Sequence, residues 1–121
     1  MSEQFDASRP IYAQLVERLK ARILAGTYPP GGHLDSVRDL AAAAGVNPNT
    51  MQRAMQELEA RGLINTQRTA GRTITEDETM IQALRQQKAQ EQIAQFWAAM
   101  QKLGFTQAEA LSLLKQTKEN A

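Results

Sequence analysis

Two capped helical segments joined through a four-residue connection, Gly45 to Pro48 with the first residue of the second helix counted in, set the strongest constraint on how this chain can fold. Ser36 with Asp39 three residues on has the form of a capping box, and Val37, Leu40, Ala41 and Ala44 supply an apolar side before Gly45 stops the helix. Asn47 is an N-cap residue, and Pro48 follows at N1, where its missing N–H and fixed φ cost nothing. A second helix is therefore predicted over 48–61, with Gly62 in the place of a C′ glycine. Two short helices joined by so tight a glycine-containing turn make a helix-turn-helix.

The second helix has two unlike faces. At about 100° per residue, Met51, Ala54, Met55 and Leu58 fall together as a buried stripe. Asn49, Gln52, Arg53 and Gln56 repeat that spacing, and their centre lies roughly 160° around the helix. Asn and Gln side chains can pair with adenine through N6 and N7, and Arg with guanine through O6 and N7. A plain solvated face is the competing reading, because Gln and Arg are good helix formers. The helix-turn-helix context favours a groove reader, since the second helix of such a unit enters DNA.

The flanking segments complete the unit. Pro10 opens a helix with Ile11, Leu15, Leu19, Ile23 and Leu24 at helical spacing, ended by Gly26 and the breaker run TYPPGG. Beyond Gly62, LINTQ and RTIT alternate apolar and polar residues around TAG, as the strands and turn of a short hairpin would. Arg68 and Arg72 flank its tip, within reach of a phosphate or a minor groove. The expected fold is mainly α with a small β-hairpin: a winged helix-turn-helix domain over 1–75, followed by a C-terminal two-helix hairpin over 76–121.

The run from Pro10 to Thr75, with PIYAQL and ILAGTYPPGGHLDSVRDLAAAAGVNPNTMQRAMQELEARGLI, resembles the winged-helix domain of the GntR family of bacterial transcription regulators. The NPNT element and the short helical tail are most similar to its YtrA subfamily. Asp35 stands where the family usually has Pro, Met55 where an aromatic is common, and in the wing only Arg68, Gly71 and Ile74 match well. The resemblance implies that Arg38 contacts a phosphate and that Asn47, Asn49, Thr50, Gln52 and Arg53 line the start of the recognition helix. It also implies that Gly71 lets the wing backbone approach DNA. Repression, often of transporter-linked operons, is the activity it suggests.

The tail is expected to be a helical hairpin. Thr75-Glu-Asp-Glu78 reads as a capping box for one long helix marked by Ile81, Leu84, Ile93, Phe96, Trp97, Met100 and Leu103 and ended at Gly104. A second box, Thr106 to Glu109, starts a final helix with Leu111, Leu113 and Leu114. So short a segment cannot bury its own apolar side chains. Ile93, Phe96, Trp97, Met100, Leu103, Phe105, Leu111 and Leu114 are therefore assigned to a dimer interface, with packing onto the winged domain as the alternative.

Composition narrows the rest. The net charge is +1, with nine Arg or Lys against seven Asp or Glu in residues 1–75, so overall electrostatics are weak. Every cation between Lys20 and Lys88 is nevertheless Arg, the better residue for bidentate contacts. No apolar run approaches the length of a membrane span and no signal peptide opens the chain, which predicts a cytoplasmic protein without a membrane partner. With no cysteine and a single histidine, His33, neither a metal site nor any other cofactor is expected. The acidic run Glu76 to Glu78 suits a helix N-terminus better than paired-carboxylate catalysis, so an enzyme is not expected. Two functions remain: a homodimeric, sequence-specific transcription regulator on double-stranded DNA, or a winged-helix protein-interaction module. An unidentified small-molecule effector would have to bind the dimer tail or the hinge near Thr75 to Met80.

Overall fold

A computed structural model of the chain describes residues 4–69 and 71–120, with side chains through 118. The elements run α1 (Ile11–Ala25), α2 (Val37–Ala44), α3 (Pro48–Ala60), β1 (Ile64–Gln67), β2 (Gly71–Ile74), α4 (Glu78–Lys102) and α5 (Gln107–Asn120). This is the expected mainly α architecture with one antiparallel hairpin, paired from Ile64 opposite Ile74 to Gln67 opposite Gly71. Ala70, placed at the hairpin tip by sequence, lies outside the described residues.

Local chemistry explains the helix ends. The Asp39 N–H donates to Ser36 Oγ at 3.1 Å, capping α2, and the Asn49 N–H donates to Asn47 Oδ1 at 2.7 Å, capping α3. Gly45 closes α2 at φ 72°, a left-handed conformation that a side chain would strain, and its N–H turns back to the Ala41 and Ala42 carbonyls. That reversal brings α2 and α3 together. α3 ends one residue short of the expected 61, with Arg61 as its cap.

Contacts divide the chain into two compact units between Ala83 and Leu84, so the start of α4 belongs with the winged unit. Within that unit α1 and α2 both pack on α3. The stripe Met51, Ala54, Met55 and Leu58 is fully buried with Leu15, Val16, Leu19, Ile23, Leu63, Ile64 and Ile74. Ile11, expected on the apolar side of α1, is instead exposed at the first position of the helix. Buried Gln14 ties down the segment before α1: it accepts from the Asp6 N–H at 2.8 Å and donates to the Asp6 and Arg9 carbonyls.

Two sequence expectations need correction. Thr75 does not cap α4; its hydroxyl accepts from the Asp77 N–H at 3.1 Å, while Asp77 Oδ1 accepts from the Met80 N–H at 3.0 Å and is the cap. Asp77 directly precedes the first helical residue, so it wins the competition for the free N–H groups. GGHL is more than the end of a turn. Gly31 N–H donates to the Ile74 carbonyl, Ile74 N–H to Gly32 and Leu34 N–H to Arg72, and His33 bridges Thr73, so this loop lines the free edge of β2.

In the second unit the box at Thr106 and Glu109 forms as expected, with reciprocal bonds of 3.0 and 3.2 Å at the start of α5. Phe96 and Trp97 lie tilted against each other, centroids 5.1 Å apart. Only Ala110 is fully buried there among the described residues, and Ile93, Leu103, Leu111, Leu113 and Leu114 are exposed. No described helix is long and apolar enough to cross a membrane.

Candidate nucleic-acid interface

The outward face of α3 is built by default. Once Met51, Ala54, Met55 and Leu58 are committed to the core, Asn49, Arg53 and Gln56 stand exposed and Gln52 half-buried. Thr50 is half-buried at the edge of the stripe. Asn47 spends its side-chain oxygen on the cap, leaving its amide N–H₂ as the group it can offer a base or phosphate.

A cleft beside α3 brings part of the expected site together. Its lining includes Ser36, Arg38, Gln52, Thr66, Gly71 and Arg72, from the start of α2, from α3 and from both strands of the wing, together with the acidic residue Asp35. Arg38, the second residue of α2, is exposed and makes no ion pair among the described residues. Arg68 is exposed in the turn after β1. Gly71 has φ 72° with open space around it, so the wing requires glycine there for its backbone conformation. Arg53 lies apart from this cleft, stacked on Tyr12.

Arg72 has a structural task that sequence reasoning did not foresee. Its Nε–H donates to Glu59 Oε1 at 2.8 Å, and the Thr66 hydroxyl donates to the same oxygen. Glu59 on α3 thus clamps both strands of the wing, engaging Arg72 through its Nε–H. The Thr66 hydrogen bond first, then Arg72, holds the Glu59 carboxyl below the ordinary glutamate range. A depressed folded-state pKa contributes stability above the unfolded value, so the clamp persists at neutral pH and is lost only in acid. Glu59→Ala should lower stability by about 1 kcal/mol, given partly exposed partners. A shift of the urea midpoint, with faster amide exchange at Asn65 and Thr73, which face each other across the hairpin, would report it; unchanged exchange in the wing would contradict the clamp. No sequence pattern marks Glu59, because its partners lie in other elements.

The residues assigned to a dimer interface divide by exposure. Ile93, Leu103, Leu111 and Leu114 are exposed, while Phe96, Trp97, Met100 and Phe105 are half-buried where the end of α4 meets the start of α5. No group of three or more metal-ligating side chains occurs among the described residues.

A helix-turn-helix backed by a third helix and followed by a β-hairpin, with amide and guanidinium groups on the exposed side of its second helix, defines a winged-helix DNA-binding regulator. The chain belongs to the bacterial regulatory proteins of the gntR family, whose model matches residues 11–74. It is 36% identical over 115 residues to the HTH-type transcriptional regulator YhcF of Bacillus subtilis, covering 95% of each chain. Over 71 residues it is 44% identical to the HTH-type transcriptional repressor YtrA of the same organism, covering 59% of this chain and 55% of that protein, which supports the YtrA subfamily. A GntR family transcriptional regulator from Listeria monocytogenes has the same fold, with a TM-score of 0.83 and 40% identity over 93% of this chain and 98% of that one.

Proposed function

We propose that this chain is a cytoplasmic repressor that binds a pseudo-palindromic operator as a homodimer, using residues 1–75 to bind DNA and 76–121 to dimerise. The observation that carries the reading is the exposed face of α3, where Asn49, Gln52, Arg53 and Gln56 stand opposite a fully buried stripe. Those side chains suit base edges; Arg38, Arg68 and Arg72 suit the sugar–phosphate backbone on either side. The similar YtrA protein is named a repressor, which supports that mode here. Dimerisation is supported by the second unit, whose exposed leucines need a covering surface, and two-fold pairs are the commonest way to supply one. A dimer also places two recognition helices on successive half-sites.

Fluorescence anisotropy with duplex from upstream of the chain's own operon tests this directly. The expected preference over scrambled duplex is at least about 10³ at physiological salt. Equal affinity for both would count against sequence-specific binding. Arg38→Ala should behave as the loss of a phosphate contact: both duplexes weaken about equally, and the slope of log K against log salt falls by about one. A loss confined to the operator would instead make Arg38 a base reader.

A further inference from the structure

Tyr12, the second residue of α1, lies off the exposed face of α3, yet its ring sits beneath the Arg53 guanidinium, with Cζ 3.7 Å from the ring centroid. We propose that Tyr12 is a positioning residue for base recognition, a platform that holds the Arg53 guanidinium ready for a guanine; the inference rests on Arg53 being a base reader.

With Cζ only 3.7 Å from the ring centroid, about van der Waals contact, the guanidinium can meet the ring only through its face, which leaves its in-plane edge open. All five N–H donors lie in that plane, so a stacked arginine can still form the two parallel bonds that guanine O6 and N7 accept. A carboxylate partner would occupy those donors instead. Other arginines of this chain are held in that second way: Arg9 by Glu17, Arg61 by Glu57 and Arg72 by Glu59. Arg53 has a carboxylate one turn away, Glu57, but Arg61 Nε takes it at 3.1 Å. Among the described residues Arg53 makes no ion pair, and its partner is the Tyr12 ring.

The platform is fixed. Tyr12 is half-buried one turn before Leu15 and Val16, both in the core, on a helix that packs against α3. A free arginine loses several torsional freedoms when it docks on a base; one already stacked has lost much of that freedom on folding, so binding is less opposed. Tyr12 thereby acts on the operator complex through Arg53 without touching the base.

The test uses the full chain and two duplexes, an operator obtained by selection from random sequence and a scrambled control. Tyr12→Phe keeps the ring and should bind both as the parent does. Tyr12→Leu keeps apolar bulk without the ring face, and should lose roughly 3- to 10-fold on the operator and little on the control. In an Arg53→Ala background, Tyr12→Leu should add no further loss, because the two residues act as one unit. Thermal melts of each variant separate a binding loss from a folding loss. Three results would overturn the proposal: Tyr12→Phe as weak as Tyr12→Leu, which makes the hydroxyl a DNA contact; an undiminished Tyr12→Leu loss in the Arg53→Ala background; or no effect of Tyr12→Leu on the operator. If Arg53→Ala alone lowers both affinities in parallel, the base-reading role itself fails and takes this inference with it.

Discussion

Arg53→Ala should lose most of its operator affinity while keeping its hold on random duplex. The side chain projects from the exposed side of α3 beside Asn49 and Gln52, clear of the cleft that gathers Arg38 and Arg72. Losing a bidentate contact to guanine costs roughly 1–3 kcal/mol of discrimination in each half-site. Non-specific binding does not hold a guanine in register against Arg53, so affinity for random duplex, set by the phosphates, should change little. The remaining operator preference should relax at one base pair per half-site. Titrations on operator and scrambled DNA at two salt concentrations check this. A parallel fall in both affinities would make Arg53 another phosphate contact.

Trp97→Ala should dissociate the proposed dimer, and DNA affinity should fall with it. Trp97 is half-buried against Phe96 and beside half-buried Met100 and Phe105, while Ile93 and Leu103 on α4 and Leu111, Leu113 and Leu114 on α5 are exposed. If a second copy covers this surface, truncating the largest side chain in it costs about 3–5 kcal/mol of dimer stability. The winged unit has its own core, so its melting should be unaffected. Sedimentation velocity at micromolar concentration should show a dimeric parent and a monomeric variant. A monomeric parent would count decisively against this interface.

How far the fold was legible follows from where the information sits along the chain. Ser36, Asn47 with Pro48, and Thr106 with Glu109 act on backbone groups two or three residues away, so their roles can be seen in a short window. The stripe Met51, Ala54, Met55 and Leu58 was legible for the same reason, and it fixed the opposite face. Thr75 misled because two capping residues compete two positions apart, and the one adjacent to the helix prevails. GGHL carries too few residues to show strand alternation; it pairs with β2 because that edge is open to it. Tyr12 under Arg53, and Glu59 with Thr66 and Arg72, join side chains from different elements. No periodicity within one helix can show which charges are already taken.

Selection of binding duplexes from a fully random pool tests the dimeric reader without assuming any operator sequence. The full chain, at a salt concentration that suppresses non-specific binding, should enrich one motif made of two inverted half-sites. Their centres should lie about 10 base pairs apart or at a multiple of that spacing, as two-fold related recognition helices require. Enrichment of no motif at all, or of a single unrepeated half-site, would contradict a dimeric reader built on the exposed face of α3.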